Sequence, residues 1–181
     1  MDQGRARVAL GAALILLAGC AAGGGAAGGG RQDLAPGSHI GAPLPAIQVD
    51  TLAGKHIDLA AYRGRVLLLD VWASWCAPCK QELPMLDAMA GRLKARGIDI
   101  VAVSVDQQRE NVDKFLHGHS RRWSLTIAHD PAGVIAERLQ PDKMPTSYIV
   151  DRAGVVRYVN EGFIPEDAQS IEHRLLEVAG Q

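Results

Sequence analysis

Leu67-Leu68-Leu69-Asp70-Val71-Trp72-Ala73-Ser74-Trp75-Cys76-Ala77-Pro78-Cys79-Lys80 passes from a hydrophobic strand into a helix, with two cysteines at the change. From Val66 to Trp72 the run is nearly continuous and apolar, the pattern of a strand covered on both faces and thus of a central strand. A helix start leaves backbone N–H groups unpaired and carries partial positive charge, so a thiolate is favoured there over a thiol. Cys76 and Cys79 are therefore a candidate redox pair that attacks disulfides at neutral pH. Pro78 lacks an N–H, but that first-turn donor is unpaired in any case, and its fixed φ helps hold the two sulfurs in register.

Working outward, Leu83, Leu86, Met89, Ala90 and Leu93 recur at helical spacing until Gly97, and Ile98 to Val105 is a second apolar run. Strand, helix and strand predict a right-handed parallel unit. Beyond it the pattern predicts a short helix over 111–117, a strand over 124–128 and a helix over 132–139. Ser147-Tyr148-Ile149-Val150 and Val155-Val156-Arg157-Tyr158-Val159 flank the turn Asp151-Arg152-Ala153-Gly154, which reads as an antiparallel hairpin, and Pro165 to Val178 reads as a closing helix. Upstream, 43–50 and 56–59 surround the turn signal Leu52-Ala53-Gly54-Lys55 and predict a hairpin leading into the core. The sum is an α/β fold, a mixed sheet with helices on both faces. Only one unbroken parallel unit occurs, which argues against a doubly wound nucleotide-binding fold.

The first residues are basic at Arg5 and Arg7 and then apolar from Val8 through Ala18, a secretory signal too short to span a bilayer. Leu17-Ala18-Gly19-Cys20 resembles the lipobox of bacterial lipoproteins, which implies lipidation of Cys20 after cleavage; an ordinary signal peptide would leave Cys20 a spare thiol. Ala21 to Gly30 contains only alanine and glycine and reads as a tether, since it has too little apolar surface to offset its ordering entropy. As a flexible coil of about 14 residues it reaches on the order of 20 Å. The expected organisation is 1–19 signal peptide, 20–39 lipidated cysteine and tether, and 40–181 a single domain. The chain has 19 basic and 20 acidic residues; removing 1–19 takes away Arg5, Arg7 and Asp2 and leaves 17 against 19, so no nucleic-acid partner is indicated.

The domain resembles the thioredoxin superfamily, and within it the membrane-tethered TlpA/ResA-like thiol-disulfide oxidoreductases. The resemblance runs through Gly41, Pro45, Gly54-Lys55, Leu59 and Tyr62-Arg63-Gly64, then Trp75-Cys76-Ala77-Pro78-Cys79 with Glu82-Leu83-Pro84, then Met144-Pro145-Thr146 and Asp151-Arg152-Ala153-Gly154. It implies a thioredoxin-like fold with an N-terminal hairpin extension and a central insertion. It also implies that Cys76 attacks and Cys79 resolves the mixed disulfide, and that Pro145 is a cis-proline facing the pair. Trp75, Ala77, Pro78, Met144, Pro145 and Thr146 would then form the substrate-binding surface, with the Met144 backbone pairing with an extended segment. Asp70 stands where thioredoxins carry a buried acid, so it and Glu82 are the candidates for proton transfer to and from Cys79. Each also has a bland reading: Asp70 as an acid satisfied locally, Glu82 as a partner of the helix dipole. Pro84 reads either as the kink proline of this helix or as its break.

The resemblance further implies an extracytoplasmic protein, held by lipid to a bacterial membrane and facing the periplasm or cell exterior. It would use no cofactor, reduce protein disulfides including those of apocytochrome c, and draw electrons from a DsbD- or CcdA-like membrane thiol carrier. Ala77 stands where some apocytochrome-directed relatives carry glutamate. Two other classes compete. Copper-delivery proteins of this fold space their cysteines by three residues, against two here, and thiol peroxidases of the peroxiredoxin type need threonine or serine where this chain has Ala73. A zinc site lacks ligands once Cys20 is lipidated, and His117 and His119 read as solvated loop residues.

Overall fold

The computed structural model describes residues 39–119 and 122–180. The expected signal peptide, Cys20 and nearly all of the tether lie outside these residues. The strands are β1 (Gln48–Thr51), β2 (His56–Asp58), β3 (Val66–Trp72), β4 (Ile98–Ser104), β5 (Thr126–His129), β6 (Thr146–Val150) and β7 (Val156–Glu161). The helices are α1 (Ala77–Leu93), α2 (Arg109–His117), α3 (Val134–Leu139) and α4 (Asp167–Gly180).

All seven residues of β3 are buried, as its unbroken apolar pattern requires. Successive side chains of a strand point to opposite faces. Val66, Leu68 and Trp72 enter a core with the inner face of α1 and with Ile171, Leu175 and Val178 of α4. Leu67, Leu69 and Val71 enter a second core with Ile135 and Leu139 of α3 and the N-terminal Leu44 and Ile47. Asp70 has the parity of the first set, so the strand period alone turns its carboxyl towards α1.

The seven strands lie in the order β2-β1-β5-β4-β3-β6-β7. Parallel pairing of β3 with β4 runs from Val66 opposite Ile98 to Trp72 opposite Ser104, the strand-helix-strand unit read from the sequence. β6 is antiparallel to β3 and to β7, giving the expected C-terminal hairpin. The N-terminal hairpin β1–β2 joins through β5, which itself pairs parallel to β4. That attachment puts three strands beyond β4, so β4 rather than β3 is the middle strand, a correction to the sequence reading.

Other boundaries move for local reasons. β5 begins at Thr126, not Ser124, because the amides of Ser124 and Leu125 donate to the buried Asp87 carboxylate of α1. α3 begins at Val134, not Ala132: Gly133 adopts φ 71° and the Asp130 carboxylate accepts from the Ile135 amide at 2.7 Å. α4 begins at Asp167, whose own carboxylate accepts from the Ile164 amide at 2.9 Å. α1 continues through Pro84, so the helix-break reading of that proline is not what the chain does.

His39 is buried, with Nε2 2.6 Å from the Leu139 carbonyl and its ring edge-on to Tyr148. His117 ends α2 exposed. His119, expected in solvent, is half-buried against the rings of Phe115 and Trp123, because the chain leaving α2 folds back over an apolar surface. Among the described residues no helix is long and apolar enough to cross a membrane.

Candidate active site

The core strand β3 delivers the chain to a tight turn whose last residue, Cys76, caps α1 with extended φ/ψ of −80° and 110°. Cys76 and Cys79 are joined as a disulfide with Cα atoms 5.3 Å apart, and the Cys79 amide donates to Cys76 Sγ at 3.2 Å. Sulfur thus occupies the place of a capping oxygen, where a charge developing on Cys76 meets an unpaired helix amide and the positive end of the dipole. Cys76 is 6% exposed and Cys79 1%, so the first sulfur is the accessible one. Ala77 and Pro78 are exposed beside it. Of the two tryptophans here, Trp72 is fully buried and Trp75 is 67% exposed.

The turn is held from the end of β4. Asp106 accepts from the Ser74 amide at 2.8 Å and from Ser74 Oγ at 2.6 Å, and also from Ser104 Oγ at 2.7 Å. The Val105 amide donates to the Trp72 carbonyl at 3.0 Å, and His129 Nε2 donates to the Asp106 carbonyl at 2.7 Å. Parallel pairing therefore reaches past the strand ends and fixes the segment that presents Cys76.

Beneath the pair, Glu82 follows Cys79 by three residues on the buried face of α1, and Asp70 faces it from β3. Ser147 of β6, directly opposite Asp70 in register, stands between the carboxyls. Its Oγ lies 2.9 Å from Glu82 Oε1 and 3.4 Å from Asp70 Oδ1. Burial, with the nearby Glu82 charge, raises Asp70 well above the usual carboxylate range, and the Ser147 hydroxyl only partly opposes this. Burial raises Glu82 to about 7, the Ser147 hydrogen bond lowering it and the Asp167 charge adding to the rise. Among the described residues Glu82 Oε2 has no hydrogen-bond partner, an orphaned oxygen that costs less on a neutral carboxyl than on a carboxylate. Glu82 can thus store and return a proton near neutral pH three residues along α1 from Cys79, and burial favours the neutral form of Asp70 behind it.

The Met144–Pro145 peptide is cis. With Val71 opposite Thr146, Pro145 falls at the level of Trp72, at the sheet end that carries the disulfide. Met144 packs partly buried against the core cluster that includes both cysteines, and Pro145 and Thr146 are buried. The Gly162 amide donates to the Pro145 carbonyl at 2.7 Å, which brings the Phe163-Ile164 segment to the same end; Ile164 is exposed.

Residues 40–159 match the AhpC/TSA family. The chain belongs to that family. It is 30% identical over 117 residues to the thiol-disulfide oxidoreductase ResA of Bacillus thuringiensis subsp. konkukian, covering 65% of this chain and 66% of the relative. The match thus spans about two thirds of that relative's length. Among solved structures, one assigned as the thiol:disulfide interchange protein DsbE of Chlorobium tepidum superposes with a TM-score of 0.73 at 34% identity, covering 78% of this chain and 98% of that one. The exposed lipoprotein thioredoxin Etrx1 of Streptococcus pneumoniae gives 0.61 at 25% identity, covering 74% and 99%. The fold is thioredoxin-like.

Of the residues singled out from sequence, the structure brings together Cys76, Cys79, Asp70 and Glu82, and sets Trp75, Ala77, Pro78, Met144, Pro145 and Thr146 at the same end of the sheet. Cys20 lies outside the described residues. Sequence reasoning missed Ser147 and Asp106. Ser147 was visible only as a hydroxyl in an apolar strand, and Asp106 only as an acid closing an apolar run; strand register supplies their partners.

Proposed function

We propose that this protein is a thiol-disulfide oxidoreductase that reduces disulfides of other proteins outside the cytoplasm, held to a bacterial membrane by lipid on Cys20. The observation that carries the reading is the Cys76–Cys79 disulfide, with one sulfur capping α1 and the other buried over two carboxyls. The reduced pair acts in two steps. The Cys76 thiolate attacks a substrate sulfur, forming a mixed disulfide and releasing a substrate thiolate that takes a proton. Cys79 then passes its proton to a carboxylate and attacks Cys76 Sγ, expelling the second substrate thiolate and leaving the intramolecular disulfide. Two electrons pass from the dithiol to the substrate.

The roles of the two cysteines rest on accessibility, and the proton-transfer roles of Asp70 and Glu82 on their burial beside Cys79. The substrate surface comprises Trp75, Ala77, Pro78, Met144, Pro145 and Thr146, with an extended segment pairing along Met144. The names of ResA and DsbE support oxidoreductase chemistry, and that of the lipoprotein thioredoxin supports a lipid anchor. An oxidising compartment would return the pair to the disulfide, so turnover calls for a membrane thiol donor of the DsbD or CcdA kind. Apocytochrome c is one substrate of the required chemistry, two nearby cysteines in an unfolded chain.

Cys79→Ser is expected to accumulate mixed disulfides on Cys76, identifiable by mass spectrometry, while Cys76→Ser accumulates none. Trapping on Cys79 by Cys76→Ser alone would reverse the roles. Membrane fractionation of the full chain tests the anchor: Cys20→Ala is expected in the soluble fraction, and its retention on membranes would remove lipid from the account.

A further inference from the structure

The Ser147 hydroxyl has one proton to donate and faces two acids. It is buried, directly opposite Asp70 across the β3–β6 ladder, 3.4 Å from Asp70 Oδ1 and 2.9 Å from Glu82 Oε1. When both carboxyls are ionised, the single serine proton serves only one of them in a region where all three side chains are buried, an arrangement that is costly. When Asp70 is neutral, its own proton points at Ser147 Oγ while the serine proton points at Glu82. Asp70, Ser147 and Glu82 Oε1 then form one directional chain, Asp70 to Ser147 to Glu82.

Resting on the oxidoreductase reading above, we propose that Ser147 relays a proton between Asp70, the inner store, and Glu82, the group that exchanges with Cys79. When an incoming thiolate opens the disulfide at Cys76, the S–S electron pair stays on Cys79 Sγ, which takes a proton from Glu82. Glu82 is refilled through Ser147: the serine gives its proton to Glu82 Oε1 and receives one from Asp70 Oδ1. Closure of the disulfide runs the chain backwards. The hydroxyl begins and ends each cycle neutral, and protons are conserved across the three groups and the sulfur.

The surroundings favour transfer along this line. β3 supplies Asp70, and α1 supplies Glu82 and Cys79. α4 supplies Asp167, which acts on Glu82, and Arg174, which is drawn off to Asn160 Oδ1 at 2.6 Å. Asn160 is the β7 partner of Ser147. Among the described residues no cation pairs with Asp70 or Glu82 to lock either as an anion. Ser147 touches neither substrate nor sulfur in this scheme and is a positioning residue.

The test is the pH dependence of the resolving step, measured by stopped flow after mixing reduced protein with a small model disulfide. Ser147→Ala is expected to slow resolution about three- to tenfold near pH 6.5 and to move its pH midpoint upward, since Glu82 loses its stabilising donor. Ser147→Thr keeps a hydroxyl and is expected to restore most of the rate. Alkylation of Cys76 at fixed pH, which does not use the relay, is expected to be unchanged in both. An unmoved pH midpoint in Ser147→Ala, or equal slowing in Ser147→Thr, would overturn the relay. Failure of wild-type protein to exchange disulfides at all would instead remove the oxidoreductase reading. Should Ser147→Ala not fold, the infrared difference spectrum between oxidised and reduced wild-type protein decides. On reduction the carboxyl band assigned by its absence in Asp70→Asn should be lost while the band assigned by Glu82→Gln persists, because Glu82 is refilled; loss of the Glu82 band with the Asp70 band intact contradicts the relay.

Discussion

Glu82 carries the sharpest pH consequence of any single residue. With its carboxyl raised to about 7 by burial, it is neutral and able to donate below that pH and ionised and able to accept above it. Resolution of the mixed disulfide, which needs an acceptor for the Cys79 proton, is therefore expected to accelerate as pH rises through about 7. Glu82→Gln should flatten that rise and slow resolution by roughly tenfold or more at pH 7.5, read by single-turnover kinetics. Unchanged kinetics would remove Glu82 from proton transfer. The helix-dipole reading of Glu82 is corrected: it lies in the second turn of α1, whose first turn holds no acid. Both acids were legible in the sequence, Asp70 as a charge inside an apolar strand and Glu82 as an acid three residues after Cys79. Ser147 was not, because its importance lies in standing opposite Asp70, and register between strands 77 residues apart is a property of the folded sheet.

At the level of elements, the parallel unit β3–α1–β4 was readable because its periods are strong: a seven-residue buried strand, an apolar stripe on α1, a stop at Gly97 with φ 78°. The segment after β4 was readable only in outline. β5 is four residues long and is delimited by hydrogen bonds to Asp87 from another element, a constraint absent from its own pattern. The same kind of tertiary control holds the redox turn. Asp106→Ala would leave the Ser74 amide and Ser104 hydroxyl without their acceptor, and is expected to destabilise the domain by about 2–3 kcal/mol in urea titration. It should also loosen the turn, increasing the quenching of Trp75 fluorescence by acrylamide. In the C-terminal hairpin, Asp151 accepts from the Ala153 and Val155 amides at 2.9 Å each and from Arg157 Nε at 2.6 Å. Burial opposes its ionisation, but these donors outweigh that and leave its carboxyl below the usual range. Asp151→Ala is expected to cost about 1–2 kcal/mol by the same titration.

For the whole domain, two buried acids make stability fall as pH rises. The folded state keeps a proton on Glu82 up to about 7, while the unfolded chain releases it near 4.5, so over that window the native state binds more protons. Glu82's share of the decline falls between those limits, on the order of 3 kcal/mol, and Asp70, raised well above the usual carboxylate range by burial, adds its own loss of stability as pH rises. Glu82→Gln should reduce the slope in thermal melts taken between pH 4.5 and about 7; an identical slope would show that the acid is ionised in the fold. The same carboxyls serve the central claim, that an accessible sulfur at the start of α1 exchanges with partner disulfides while its buried neighbour resolves them. The direct measurement is insulin reduction by dithiothreitol with catalytic amounts of the described domain. Wild-type protein is predicted to shorten the lag before insulin precipitates and to cycle between dithiol and disulfide forms, with Cys76→Ser inactive. A wild-type trace indistinguishable from dithiothreitol alone, with the Cys76–Cys79 bond resisting reduction, would contradict the account.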